Sequence, residues 1–377
     1  MISRFCCGYS ANMNVKVNDS KECFSKNYIE VTDLDLVVKQ LGENRSSVYI
    51  KDLLDLVIDF AFRSYSNKKD AGSKGIIFPL ISLTNSTNEQ IQNKSLDALS
   101  ILIDHPDNRN LVATSETIMR LTLLIKQPNL KNRAEAAKLY RKIISTHNLT
   151  NIVSMQEQIK LMSLGMQDCN YELREEFSAA FKACLINKII DPNILNKKVT
   201  LELIKQLLYD MEPTVRQNTC SIVAALSDTA AFNSLFFKYD FPAILITLLE
   251  DVPSQADALD AVTSLVCENN VNELKELKYK LVHCVFNLLK DDRDEVRLNA
   301  LKCLLVLSDC IPGYKWRVLG ALCPLISDTD DLVRQLSFSK ISTELVHDDV
   351  KDYLKGSMLI YELEEVSQHK NPEIRTS

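Results

Sequence analysis

The sequence predicts an all-α solenoid of about nine helical repeats, each of roughly 41 residues and the last incomplete. Three observations predict this fold class: a motif that recurs at a fixed period, apolar residues at three- and four-residue spacing, and a scarcity of helix-breaking residues. The chain of 377 residues holds only 8 glycines and 10 prolines. Such a composition suits many helices joined by short loops, and it disfavours all-β and glycine-rich nucleotide-binding folds.

The recurring motif is an aspartate followed six residues later by an arginine that has an aliphatic residue before it. Residues 288–297, LLKDDRDEVR, show it most clearly. The four copies are Asp168/Arg174, Asp210/Arg216, Asp291/Arg297 and Asp328/Arg334. Extending the arginine position in both directions gives a column with intervals of 41, 41, 41, 42, 41, 40, 37 and 41 residues: Lys51, Gln92, Arg133, Arg174, Arg216, Asp257, Arg297, Arg334 and Arg375. Unrelated helices would not keep one period over so many occurrences, so the column predicts a repeat array.

Each unit is expected to be a pair of antiparallel helices whose apolar faces become buried only when units stack. The first helix is apolar around most of its circumference, as in residues 318–326, VLGALCPLI, whereas the second keeps an apolar stripe, as in residues 332–345. The aspartate lies in the turn between them, where its carboxylate is expected to cap the second helix. The arginine is expected to reach the aspartate of its own or an adjacent unit, so that this Asp/Arg ladder fixes the stacking register.

The sixth unit departs from the pattern. Its column position holds Asp257 instead of a cation, while Asp251 keeps the aspartate position. Two acids then occupy the places where an ion pair is expected. We therefore expect the sixth unit to stack less regularly on its neighbours.

One segment carries a resemblance to a known family. Residues 75–83, GIIFPLISL, together with the helix at 91–99 and the turn at 105–109, resemble an armadillo repeat. The Asp/Arg spacing of later units is more similar to HEAT repeats, so residues 31–377 resemble a single, mixed domain of the armadillo/HEAT family. The resemblance implies a right-handed superhelix in which the last helix of each unit lines a concave protein-binding groove.

The same resemblance argues against a nuclear-import adaptor. In those armadillo proteins a Trp-x-x-x-Asn ladder in the groove binds basic peptides. The matching positions here, five and nine residues beyond the column, hold neither tryptophan nor asparagine, and the single tryptophan, Trp316, lies elsewhere.

Charged residues at the predicted groove positions are the candidate protein-binding residues. Lys138 and Lys142 are four residues apart on one helical face, within a basic cluster that extends from Lys126 to Lys142. An acidic stretch in the sixth unit, residues 250–268, would complement the cluster on an elongated partner of uneven charge. An ordinary solvated helix face is the simpler interpretation and stays open. The complete candidate set is Asp97, Lys138, Arg141, Lys142 and Lys302.

The leading functional hypothesis is a non-catalytic protein-binding scaffold or adaptor in the cytoplasm. One alternative is a structural subunit of a large assembly, such as a radial spoke of the ciliary axoneme. Another is nucleic-acid binding through the basic cluster, against which the net charge of −6 counts. No cofactor, metal or small-molecule substrate is expected: the five histidines are scattered, and His283 is expected to pack with Cys284 inside an apolar run.

The cysteines and the two ends of the chain complete the expectations. Eleven cysteines without a Cys-x-x-Cys pair predict mostly buried free thiols in a reducing compartment, and neither a secretory signal nor a membrane span is expected. Residues 1–30 are expected to be disordered or extended, and modification of Cys6 and Cys7 is left open. The ninth unit stops as its second helix begins. Its first helix, at 355–366, is expected to cap the array or to be covered by a partner; a third alternative is that the chain is incomplete.

Overall fold

The fold is known from a computed structural model. It describes residues 28–43, 45–127, 132–145, 153–266, 270–311 and 314–344. Within these ranges the chain forms nineteen α-helices and no strand, and each helix packs mainly on helices close to it in sequence. The predicted all-α solenoid is therefore confirmed. Residues 1–27 and the predicted ninth unit, including Arg375, lie outside the described residues.

Eight units follow one another, each with a first and a second helix. The first helices are α1 (Leu34–Leu41), α4 (Ile77–Leu83), α7 (Ser115–Lys126), α9 (Met155–Gly165), α11 (Lys197–Leu207), α14 (Phe241–Leu248), α16 (Leu277–Leu288) and α18 (Lys315–Leu322). The second helices are α2 (Ser47–Arg63), α5 (Glu89–Leu102), α8 (Arg133–Ile144), α10 (Tyr171–Ile186), α12 (Pro213–Ser227), α15 (Gln255–Leu265), α17 (Asp294–Cys310) and α19 (Asp331–Glu344). The two helices of a unit lie against each other.

Three units have an additional short helix before the first one. These helices are α3 (Tyr65–Ser73), α6 (Pro106–Val112) and α13 (Ala230–Lys238), in the second, third and sixth units. Three-helix units are the armadillo pattern and two-helix units are the HEAT pattern, so the array is mixed, as the sequence predicts.

The second helices form the inner layer of the solenoid. In the described part, each second helix packs directly on the second helix of the next unit, from α2 on α5 to α17 on α19. Among the first helices, such contacts join α1 to α4 and α14 to α16. Because the layer with the closer helices is the shorter one, the array curves with its second helices on the inside.

A single hydrophobic core runs through the eight described units, from Ile29 to Ile341. Helix α14 shows why one unit is not enough: the consecutive residues Ile244, Leu245 and Ile246 are all buried, although they point about 100° apart around the helix. Burial of each such side chain contributes about 1.5–3 kcal/mol, which requires neighbours on both sides. Ile29 belongs to residues 28–30, which the sequence assigned to the N-terminal segment but which pack on the first unit.

The described cysteines are free thiols. Cys184, Cys220, Cys303 and Cys323 are buried, Cys284 and Cys310 are half-buried, and Cys169 is exposed. Burial raises the pKa of Cys184 to about 12, so this thiol is unreactive at neutral pH. Among the residues the structure describes, no helix has the length and apolar character needed to cross a membrane.

Candidate functional site

The Asp/Arg positions lie on the edge of the solenoid formed by the turns between first and second helices. Arg174 donates from Nε and Nη2 to the two carboxylate oxygens of Asp210, in the next unit, at 2.6 and 2.9 Å. Its Nη1 donates to the backbone oxygens of Asp168 and Cys169 in its own unit, at 3.0 and 3.1 Å. The arginine therefore joins the turn of its own unit to the turn of the next one.

The same geometry recurs along the array. The structure pairs Arg133 with Asp168, Arg174 with Asp210, Arg216 with Asp251 and Arg297 with Asp328, always one unit apart. The side chains of Asp210 and Asp328 are only 8% and 7% exposed. Burial acts to raise the pKa of each, but the arginine and backbone hydrogen bonds outweigh it and hold both pKa values below their ordinary value. Both carboxylates are therefore ionised at neutral pH.

The ladder aspartates do not cap the second helices, so that expectation is wrong. Asp168 Oδ1 accepts the backbone N–H of Asn170 at 3.0 Å, and the side chain of Asn170 caps α10. Asp210 accepts the N–H of Glu212 in the same way, at 2.9 Å. The aspartate thus stabilises the turn two residues before the helix instead of the helix end itself.

Gln255, and not Asp257, connects the turn of the sixth unit to the turn of the seventh. Its Nε2 donates to the backbone oxygen of Leu249 at 2.8 Å, and its Oε1 accepts from Nη2 of Arg293. Asp257 instead accepts from the hydroxyl of Ser221, at 3.1 Å. Helix α15 packs on both α12 and α17, so the irregular stacking expected at this unit is not observed.

Amide side chains also connect the turns of the second and third units. Gln92 donates from Nε2 to the backbone oxygen of Thr84 at 2.9 Å, and its Oε1 accepts from Nδ2 of Asn132 at 2.9 Å. Both amide side chains are buried. At two of the contacts between consecutive units, a glutamine side chain therefore binds both its own turn and the following unit.

Two ladder residues have partners other than those of the main series. Asp291 has no column arginine before it and accepts from Nε of Arg293, in its own turn, at 2.9 Å. Arg334 donates from Nη1 to the backbone oxygen of Asp328 at 2.6 Å and pairs with Asp331. The unit that would follow Arg334 lies outside the described residues.

Asp97 and Lys138 lie on the inner layer, where α5 meets α8. The carboxyl group of Asp97 shares a hydrogen bond with that of Glu135, and Nζ of Lys138 lies 3.3 Å from Glu135 Oε2. Burial, followed by the hydrogen bond and the charge of Glu135, raises the pKa of Asp97 to about 6. The carboxyl group of Asp97 therefore keeps its proton in mildly acidic solution.

The other basic candidates also bond within the solenoid. Arg141 pairs with Glu176 of α10, and Lys142 donates to Asp104 Oδ1 at 2.8 Å. Lys302 is exposed and has a long hydrogen bond of 3.4 Å to Asn299. The basic cluster is thus offset by acids of adjacent units, a feature that the local sequence does not reveal because the partners are 35 and 38 residues away.

His283 is exposed and lies 3.3 Å from the amide of Asn287, so the prediction that it packs in the core is wrong. Cys284 beside it is half-buried. In the described part of the chain, no group of three or more His, Cys, Asp and Glu side chains is arranged to hold a metal ion.

The carboxyl pair of Asp97 and Glu135 leads to a pH prediction. The pKa of Asp97 rises from 3.8 to about 6 on folding, so the folded chain keeps a proton that the unfolded chain releases. Stability should then fall as pH rises from about 4 through 6, by about 1 kcal/mol once partial solvent exposure is discounted. Asp97→Asn should remove this contribution, as measured by urea unfolding at pH 4.5 and pH 7, and should leave the smaller fall that comes from Asp257, whose pKa burial also raises.

Asp59→Asn is the matched control, because Asp59 is an exposed carboxylate on the second helix α2. It should leave the pH dependence unchanged. An Asp97→Asn chain that loses as much stability over this range as the unmodified chain does would show that Asp97 is already ionised at pH 4.5.

The fold and the turn-edge contacts together define an all-α repeat solenoid. The HEAT repeat family model matches residues 281–311, which cover most of α16 and all of α17. Among solved structures, the crystal structure of an engineered protein from the Northeast Structural Genomics Consortium is similar, with a TM-score of 0.55 and 14% sequence identity. The match covers 91% of this chain and 96% of that chain. No curated protein matches the sequence. These similarities and the mixed two- and three-helix units support a HEAT/armadillo-type repeat fold, with the family match itself confined to residues 281–311.

Proposed function

We propose that the chain is a non-catalytic protein-binding scaffold or adaptor whose partner lies along the inner layer of second helices. The observation that carries the proposal is the continuity of that layer from α2 to α19. HEAT-type solenoids use extended concave surfaces of this kind to bind proteins. The residues facing outward from this layer are not needed for the hydrophobic core, so they are available for contacts.

The charges on this layer suggest what kind of segment would bind. Lys94 pairs with Asp55, Lys138 with Glu135, and Arg141 with Glu176, each between charges of opposite sign. An open pocket of about 320 Å³ between α2 and α5 continues the same polar surface. A partner with side chains of both signs would exchange ion pairs with such a surface, whereas a nucleic acid would meet carboxylates beside most of the cations. The proposal is therefore a protein partner.

The proposal predicts that inner-layer lysines contribute to binding. Lys138→Ala combined with Lys302→Ala should weaken the affinity for a partner by about tenfold, because both ammonium groups lie on the layer that the partner would cover. The partner would be identified by affinity purification with mass spectrometry, and its affinity for the purified chains measured by calorimetry. Lys160→Ala, an exposed lysine on the first helix α9, should leave the affinity unchanged.

Equal affinities for the double variant and the Lys160→Ala control would contradict the assignment of the inner layer. A chain that resists salt extraction and never appears as a free monomer in gel filtration would instead favour a fixed structural subunit, such as one in a ciliary axoneme.

The proposal includes a cytoplasmic location, because free thiols such as Cys169 persist in reducing compartments. Imaging of the tagged chain tests that location.

A further inference from the structure

Large apolar side chains are exposed on the turn edge of three consecutive units. Met211 is 91% exposed, Tyr209 64%, Val252 60% and Tyr171 48%. Met211 is the most exposed of the large hydrophobic residues that the structure describes. Contiguous exposed apolar surface commonly marks an interaction site. We call these four residues the turn stripe.

The Asp/Arg ladder holds the turns of the stripe in line. Arg174 binds the backbone oxygen of Cys169 and the carboxylate of Asp210, which connects the turn before Tyr171 to the turn that contains Met211. Arg216 binds the backbone oxygen of Met211 at 3.0 Å and pairs with Asp251, the residue before Val252. Stacked helices lie about 8–10 Å apart, so the stripe presents at least one apolar side chain per unit at about that spacing. The stripe is therefore fixed before any partner arrives.

The surroundings of the stripe are acidic. Segments 167–173, 208–215 and 249–256 contain six acids and neither lysine nor arginine. Column arginines neutralise the three ladder aspartates, which leaves Glu172 and Glu212 next to Tyr171 and Met211. The nearby cations bond to other groups of the chain: Lys205 to the backbone oxygen of Tyr239, Lys280 to Glu250, and Arg293 to Asp291 and to the backbone oxygen of Val252. The uncompensated acids therefore lie at the Tyr171 and Met211 end of the stripe. The complementary surface is therefore apolar with basic residues beside it.

We propose that the turn stripe binds an amphipathic α-helix of a partner protein, with apolar residues seven positions apart and lysine or arginine beside them. Seven residues of an α-helix rise about 10.5 Å, which matches the spacing of the stacked units. Amphipathic helices commonly bind by placing their apolar face on such a surface. The stripe lies on the turn edge and not on the inner layer, so this interaction is additional to the proposed function.

Two synthetic helical peptides of about 22 residues, roughly 33 Å long, test the proposal. Both carry leucine at seven-residue spacing; one has lysine beside the leucines and the other glutamate. In fluorescence anisotropy with the full chain, the lysine peptide should bind at least about tenfold more tightly than the glutamate peptide. Met211→Glu and Val252→Glu should each weaken its binding about tenfold. Circular dichroism should stay unchanged, because both side chains are exposed.

Met119→Glu is the matched control: Met119 is 62% exposed on the first helix α7, away from the stripe. It should bind the lysine peptide as the unmodified chain does. Equal binding of the two peptides, no binding of the lysine peptide, or unchanged binding after Met211→Glu would overturn the proposal. A dimer in gel filtration that Met211→Glu converts to a monomer, without peptide binding, would also overturn it and identify a second copy of the chain as the occupant.

Discussion

Asp210→Asn is expected to lower the free energy of unfolding by about 3 kcal/mol, the cost of removing one member of a buried ion pair. The amide offers one acceptor oxygen where the carboxylate offered two, so it no longer receives both hydrogen bonds from Arg174. The Arg174 side chain is only 18% exposed, so water replaces little of the hydrogen bonding that it loses. The loss would be measured by urea unfolding at pH 7, followed by circular dichroism.

Asp291→Asn is the matched control at the same position of the seventh unit. Asp291 pairs within its own turn with Arg293, whose side chain is 42% exposed, so about 0.5 kcal/mol is expected. Arg174→Met combined with Asp210→Leu should recover most of the stability, since it removes both buried charges. Similar losses for Asp210→Asn and Asp291→Asn would show that the contact between units does not carry the effect.

The ladder shows how far the sequence determines the fold. The period of the column follows from residue types that stacking requires, so one sequence was enough to predict the repeat. The partner of each arginine was not predictable, because a long guanidinium side chain in the first helical turn reaches either the turn of its own unit or that of the next. The structure uses both: Arg174 binds a backbone oxygen of Asp168 and the carboxylate of Asp210.

The sixth unit shows a second limit of prediction from residue spacing. Counting along the sequence places Asp257 in the column, but the 3₁₀ turn at Val252–Ser254 moves the structural equivalent to Gln255. Residue spacing does not reveal such a shift, because a two-residue change is within the variation of the period. The candidate site has the same difficulty, since the acid that offsets Arg141 belongs to another unit. Contacts between units depend on three-dimensional stacking, whereas the repeat depends on local pattern.

Gly165→Ala is expected to destabilise the chain by about 1–2 kcal/mol, although alanine is normally the better helix residue by about 1 kcal/mol. Gly165 ends α9, and a Cβ atom added there would overlap the ring of Phe177 in α10. That ring is 1% exposed and lies 6.0 Å from the ring of Tyr140 in α8, so it has little room to move. The change in the urea midpoint would measure the effect.

Gly42→Ala adds the same methyl group but should change the stability in the opposite direction. Gly42 follows α1 with a φ of −82°, and a Cβ atom there would meet the backbone oxygen of Lys39 at 3.5 Å, an ordinary contact. Alanine should stabilise this position by about 0.4–1 kcal/mol, because it restricts the unfolded chain. Phe177→Leu should relieve part of the Gly165→Ala penalty, so the two changes should be non-additive. If Gly165→Ala and Gly42→Ala were equally stabilising, Phe177 would have an alternative rotamer and the core between α8, α9 and α10 would be less tightly packed than the contacts indicate.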